Sequence, residues 1–296
     1  MSDSEIMTLA LMMDYLPFPG ETQFLGFIRA NYGKWFPNLL ERSQFNRRLR
    51  KLGNEVEILR RMWVQQLECG NENSFVIDTK PIPVVGYRRS KKHSDFYGSA
   101  NADAMRPSRL AAVCANALRY CAARKMKYFG YKLVVLSTLG GIPVAYELVS
   151  ANTDERKAVE GVLQTVRGSE IYGDKGFIGQ QWQLEVTSST GNRIWTIQRE
   201  NQHQQISCSL KRLISRVRQR IERGSPRRRR AQGQVSLEGV FNEIQNTGRN
   251  PERLLNKTVD GLATHMAIKM ASHTLRLFLR DRFGIDVLTF QSSSIY

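Results

Sequence analysis

Glu170-Ile171-Tyr172-Gly173-Asp174-Lys175-Gly176-Phe177-Ile178-Gly179 joins a short apolar run to a carboxylate, then to a glycine-rich turn holding a lysine. A strand ending on Asp174 would hold that carboxylate on a rigid tip, and the turn after it leaves room for a phosphate. An aspartate so placed can hold a metal ion against a nucleic-acid backbone. It is also an ordinary turn and N-cap residue. What separates the two readings is whether other carboxylates stand where a metal site needs them.

The nearest match upstream is Ser74-Phe75-Val76-Ile77-Asp78, a compact apolar strand signal that again ends on an aspartate, with Pro81 and Pro83 after it. Between the two, residues 88–109 are polar and basic and read as a loop. Lys132-Leu133-Val134-Val135-Leu136-Ser137 and residues 142–149 read as a hairpin turned by Gly140-Gly141. Thr153 opens a helix through Ala158, Val159, Val162, Leu163 and Val166. Asp154 is a helix-start residue there. A helix around Trp182 and Leu184 and a strand at Ile194-Trp195-Thr196-Ile197 follow. Residues 74–244 thus run strand, loop, hairpin, helix, strand, helix, strand, basic insert, helix. If Asp78 and Asp174 end adjacent parallel strands, they come within reach of a common metal. A helix laid on the sheet could then add Glu238. Hard oxygen donors, with no Cys or His near them in sequence, favour magnesium or manganese over zinc. Two such ions would hold the attacking and leaving oxygens of an in-line displacement at phosphorus.

Charge points the same way. The 296 residues carry a formal net charge of +17 and a pI near 10.0, which implies a polyanionic partner. A merely basic protein is the plainer reading. An anionic membrane surface is less suited, because no strongly amphipathic basic helix stands alone. Residues 211–230 concentrate the surplus: Lys211, Arg212, Arg216, Arg218, Arg220, Arg223, Arg227, Arg228, Arg229 and Arg230 face one acid, Glu222. Like charges this dense repel unless something anionic lies across them. The hydrophobic fraction of 41% excludes wholesale disorder. Cys69, Cys114, Cys121 and Cys208 form no C-x-x-C pair and suggest neither zinc nor a disulfide framework. Cys114 and Cys121 read as core positions of a helical stretch. No apolar run approaches the length of a membrane span and the start lacks a basic signal region, so a soluble, intracellular protein is expected.

Residues 1–70 read as helical. Ser4 can cap a first helix with Ile6, Leu9, Met13 and Leu16, stopped by Pro17 and Pro19. A second carries Phe24, Phe27 and Ile28 and ends at Gly33. A third runs through Phe45, Leu49, Leu52, Val56, Leu59 and Met62, with Arg47, Arg48, Arg50, Lys51, Arg60 and Arg61 along it. Such a set suits a small DNA-docking module, or a plain packing domain with a solvated charged face. At the other end, Leu255, Val259, Leu262, Met266 and Met270 mark a long helix whose stripe is core, and 291–296 read as frayed.

Three segments together resemble a known family: Phe75-Val76-Ile77-Asp78-Thr79-Lys80-Pro81, Tyr128-Phe129-Gly130-Tyr131-Lys132 and Tyr172-Gly173-Asp174-Lys175-Gly176-Phe177. The chain is similar to the DDE transposases of bacterial insertion sequences. The aspartate doublet, about a hundred residues apart, is more specific than either half. Ser2-Asp3-Ser4-Glu5-Ile6 and Phe45-Asn46-Arg47-Arg48 also look like the family's N-terminal region, so the resemblance covers nearly the whole chain. It implies an RNase H-like α/β core, a mixed sheet flanked by helices over residues 71–290 with a basic insertion at about 211–234, behind an N-terminal helical DNA-binding domain at 1–70. It also implies Asp78, Asp174 and a glutamate as catalytic, metal-ligating residues for Mg2+ or Mn2+, with two ions. The activity implied is metal-dependent cleavage at element ends, followed by attack of the freed 3′-hydroxyl on target DNA. Leu237-Glu238-Gly239-Val240-Phe241 matches the family's helix after its glutamate, but the basic residues expected just before it are replaced by Gly233-Gln234-Val235-Ser236. Arg220-Ile221-Glu222 carries that half instead, so Glu222 stays open as an alternative. Glu243 would point about 140° round the helix from Glu238.

Lys80 and Lys175 lie where they could hold phosphates, and Lys132 belongs to the matching Gly-Tyr-Lys; each could also be a plain surface lysine. Asn201 is a turn residue or a family position. Lys80, Lys132, Lys175, Arg47, Arg48, Arg218, Arg220, Arg227, Arg228, Arg229 and Arg230 are the expected DNA contacts. Double-stranded DNA (terminal inverted repeats and target) is the expected partner, bound by a homodimer in a bacterial cytoplasm at the nucleoid, with no membrane. A nuclease of the same fold without strand transfer, or a decayed DNA-binding protein without catalysis, are the alternatives.

Overall fold

The structure, a computed structural model, describes residues 1–16, 18, 20–67, 72–85, 118–121, 126–151, 153–196, 241, 256 and 258–287. Its centre is a six-stranded mixed sheet built from β1 (Ser74–Val85), β2 (Leu118–Cys121), β3 (Met126–Thr138), β4 (Pro143–Ser150), β5 (Glu170–Gly173) and β6 (Arg193–Thr196). β3 pairs antiparallel with both β1 and β4. β5 joins the far edge of β1 in parallel, and β6 joins β5 in parallel. β2 pairs positions 126–129 of β3, and β4 pairs positions 131–137. An antiparallel meander continued by two parallel strands, with helices on both faces, is the RNase H-like arrangement.

Alternation along the strands sorts the core into two faces. Val76, Ile82, Tyr131, Leu133, Val135 and Leu148 point to one face. Phe75, Ile77, Val134, Leu136, Val149 and Ile171 point to the other. The second face is covered by two single helical turns, α5 (Glu155–Ala158) and α6 (Glu160–Leu163), by a 3-10 turn (Lys175–Phe177), and by α7 (Gln180–Thr190). The sequence predicts one helix beginning at Thr153. It forms instead as two turns, with Asp154 as the cap accepting from the Arg156 amide at 3.0 Å.

The first face is covered by α8 (Val259–Phe283) and by Phe241. α8 is buried on two sides. Leu262, Met266 and Met270 meet the sheet, as the periodicity predicts, whereas Ala267, Ile268 and Ala271 meet the N-terminal helices. Those are α1 (Asp3–Met13), α2 (Glu21–Tyr32), α3 (Arg42–Lys51) and α4 (Gly53–Gln66). The helices before residue 70 and the sheet after it therefore share one helix, tied further by a buried Lys269–Asp14 ion pair at 2.9 Å.

Several local expectations need correction. Ser2, not Ser4, caps α1, through a capping box with Glu5. The third expected helix breaks at Leu52, whose backbone (φ −96°, ψ 12°) ends α3 and begins α4. Gly33 does end α2, but in right-handed backbone. Cys121 lies on a strand and not in a helix; Cys114 lies outside the described residues. β1 runs on through Pro81 and Pro83, because both lie past the Ile77–Gly173 pair, where β1 has lost its β5 neighbour and a missing N–H on that side breaks no ladder. The hairpin turn is as read, with Gly141 at φ 86°. No helix among the described residues is long and apolar enough to cross a membrane.

Candidate active site

β1 and β5 run parallel in the register Ser74–Glu170, Phe75–Ile171, Val76–Tyr172 and Ile77–Gly173. Asp78 and Asp174 are the next residues on the two strands. Adjacent strands lie about 4.8 Å apart, so the two aspartates stand side by side where the β1–β5 pairing stops, Asp78 within β1 and Asp174 just past the end of β5. By alternation both share the parity of Val76 and Tyr172, which pack on the α8 face.

Each carboxylate has a distinct local setting. Asp78 is half-buried, and its Oδ1 accepts the Thr79 amide at 2.7 Å. Asp174 is exposed, in extended backbone (φ −75°, ψ 176°) at the cap position of the 3-10 turn, yet its side chain makes no cap hydrogen bond. This separates it from an ordinary capping aspartate, whose oxygens are taken up by the helix start.

The glycines of the turn have a packing reason. A Cβ on Gly173 would stand 2.6 Å from the Phe177 ring and 3.2 Å from Ile77 Cγ2. Phe177, 2% exposed, folds back into the core below. A Cβ on Gly176 would run into the Glu155 carboxylate. At Gly130 a Cβ would collide with the Ile82 carbonyl, so glycine lets β3 close on β1 just beyond Asp78.

The lysines divide. Lys80, two residues after Asp78 and on the same face, holds its ammonium 5.6 Å from the centre of the Phe241 ring. Lys175 opens the 3-10 turn directly after Asp174. Lys132 does not join them. It lies on the opposite face with Val134 and Leu136, is 5% exposed, and donates to the Thr153 carbonyl at 2.6 Å. Its ammonium lies under the Thr153 carbonyl, on the sheet face away from Asp78 and Asp174.

In the N-terminal region Arg47 is exposed, whereas Arg48 donates to the Met1 carbonyl at 2.7 Å and pairs with Asp3. Arg60 was expected along a basic face and is 1% exposed. It pairs with Glu57 at 2.8 Å, donates to the Pro143 and Val144 carbonyls at 2.7 and 3.2 Å, and lies 5.2 Å above the Tyr146 ring. Burial works against the Glu57 charge, but the hydrogen bonds and charges of Arg60 and Arg61 outweigh it and hold the carboxyl below its ordinary range. Polar β4 contacts such as these leave no periodic signal, because the pattern of α4 shows only that Arg60 is charged.

Glu238, Glu222, Glu243, Asn201, Arg218, Arg220, Arg227, Arg228, Arg229 and Arg230 lie outside the described residues. Among the described residues no group of three or more His, Cys, Asp or Glu forms. Phe241 is placed: it is helical, 6% exposed, and packed on the face that carries Asp78 and Asp174.

Comparison with known families matches residues 111–225 to the transposase DDE domain. That span holds Asp174, its turn and Lys132; Asp78 precedes it and Glu238 follows it. Neither the curated proteins nor the solved structures compared with the chain yield a match. The match covers less than half of the chain, and the sheet topology agrees with it: residues 111–225 are similar to a transposase DDE domain.

Proposed function

We propose that this protein cuts DNA at the ends of a mobile element and joins the freed 3′-hydroxyl to a target duplex, with Asp78, Asp174 and Glu238 as the catalytic carboxylates. The observation that carries the reading is the placement of Asp78 and Asp174 side by side, each one residue past the last β1–β5 pair of the parallel register. Phe241 supports Glu238 as the third. On a helix, Glu238 stands about 60° from Phe241 and Glu243 about 160° from it, so a helix that seats Phe241 on the sheet turns Glu238 toward that face and Glu243 away.

The donor set suits Mg2+ or Mn2+: hard carboxylate oxygens, one already oriented by a backbone amide and the other not consumed by a cap. When bound, two such ions supply Lewis-acid activation of a water or 3′-hydroxyl and neutralise the leaving oxyanion. The chain's own residues hold and orient the phosphodiester. Lys80 and Lys175 flank the aspartates as phosphate contacts. Arg47 and the arginines at 218, 220, 227, 228, 229 and 230 track the DNA backbone, fixing register while carrying little sequence information. Joining two ends requires two active sites, so a homodimer on terminal inverted repeats is the working assembly.

The test is incubation of the purified protein with a labelled terminal-repeat duplex, a second duplex, and magnesium or manganese. Products joined to the second duplex are expected. Cleaved ends that never join would instead make it a nuclease of the same fold.

A further inference from the structure

We propose that Glu155 and Arg156 clamp the Asp174 turn from the sheet face opposite the carboxylates, with Lys132 anchoring the clamp. The three are positioning residues that set where Asp174 stands beside Asp78. The inference rests on the reading of those aspartates as the metal-holding pair.

The turn after Asp174 is held at three points. Phe177 is locked in the core below Gly173. Gly176 lies against the Glu155 carboxylate, which a methyl group there would have to displace. Gly179 lies under Arg156, whose Nη1 and Cδ would be 3.1 and 3.5 Å from a Cβ there. With the backbone fixed at 176, 177 and 179, Asp174 has little freedom left. It is the last residue before the chain turns out of the sheet.

Glu155 and Arg156 are themselves fixed. The Asp154 carboxylate accepts from the Arg156 amide at 3.0 Å and from its Nε at 3.2 Å. Burial opposes the Asp154 charge, but these bonds and the charges of Arg156 and Lys132 hold the carboxyl below its ordinary range. One residue earlier, the Thr153 carbonyl takes the buried Lys132 ammonium at 2.6 Å. Lys132 pairs with Pro81 across β1 and β3, three residues beyond Asp78. A continuous path of contacts therefore joins the strand beside Asp78 to the turn that carries Asp174: Lys132, Thr153, α5, Gly176. It also gives the lysine of the Gly-Tyr-Lys segment a structural role.

A double-variant experiment decides it. Gly176 is not in left-handed backbone, so alanine there meets only the Glu155 carboxylate as an obstacle. Hydrogen exchange of the 174–179 amides and direct Mn2+ binding would be measured in the full chain for wild type, Gly176→Ala, Glu155→Ala, the double variant, and Lys132→Met. Gly176→Ala should speed exchange in 174–179 and weaken Mn2+ binding by about tenfold or more, the scale of lost outer-shell support at a metal site. Glu155→Ala, which removes the clamp, should do the same, and the double variant should be no worse than the worse single one, because both act through one contact. Lys132→Met should loosen 153–156 together with 174–179. Wild-type exchange at 174–179 in Glu155→Ala, or a double variant whose losses add, would overturn the clamp. Unchanged exchange at 174–179 in Lys132→Met would remove the anchor. If wild type binds no Mn2+, the reading of the aspartate pair fails, and the exchange data still decide whether the clamp exists.

Discussion

Asp78 and Asp174 are one residue beyond the paired Ile77 and Gly173, on neighbouring strands that run in the same direction. Ninety-odd residues of hairpin and helix separate them in the chain, yet they stand side by side where β1 and β5 part, on one face. Two carboxylates this close repel unless a proton or a cation lies between them. Asp78→Asn and Asp174→Asn should therefore each lower DNA cleavage by about 10^3-fold or more, since the pair acts as a unit. Their denaturation midpoints should stay at the wild-type value or rise slightly. A quantitative gel assay with thermal unfolding in parallel checks this. Retention of cleavage by either variant would move the chemistry elsewhere.

The third carboxylate is separable by substitution. With Phe241 seated on the sheet, Glu238→Gln should abolish cleavage, whereas Glu222→Gln and Glu243→Gln should retain it. DNA binding by Glu238→Gln should persist, because a neutral amide adds no repulsion toward phosphates. Loss of cleavage in Glu222→Gln alone would place the ligand inside the arginine block.

Arg60 and Arg61 are sequence neighbours with opposite environments, their side chains 1% and 70% exposed. Removing one partner of a buried pair leaves an uncompensated charge, so Arg60→Ala should cost about 3–5 kcal/mol in urea denaturation. Arg61→Ala should cost less than about 1 kcal/mol, as exposed pairs do. Equal costs would mean that Arg60 does not hold α4 to β4.

His273 gives the fold a pH dependence. It lies on α8 against the Gly141 backbone, with Lys269, Arg276 and Arg280 as its charged neighbours. Burial, then the Arg276 charge, push its pKa down to about 3 from 6.5. Between those values the unfolded chain takes up a proton that the folded chain refuses, so stability falls as pH falls through that window. From pH 6.5 to 5, above the ordinary carboxylate range, the loss should be about 1 kcal/mol per pH unit. His273→Leu should flatten that slope, as read from urea midpoints at pH 5, 6 and 7. A variant with the wild-type slope would show that another group titrates.

Much of the core was legible because short-range patterns encode it. The apolar runs ending on Asp78 and Asp174 became β1 and β5, and the Leu262, Met266 and Met270 stripe became the sheet-facing side of α8. Beyond local slips in caps and helix bounds, the readings that failed include those in which a charged residue's fate depends on a distant partner. Arg60 reads as solvent-facing until β4 arrives to offer its carbonyls, and Lys132 reads as an exposed strand start until Thr153 folds over it. Neither partner lies within the few residues that periodicity can sense.

By itself, the sequence determined where most of the strands and helices lie and that an aspartate follows the apolar runs of β1 and β5, because alternation, helical period and glycine-rich turns act over a few residues. Only the tertiary structure decided that Asp78 and Asp174 are neighbours, that α8 serves both the sheet and the N-terminal helices, and that Glu155 and Arg156 lean on the Asp174 turn. Strand order, parallel register and helix docking are set by burying apolar faces against one another across the whole chain. Contacts made that way exist only once the chain has closed on itself.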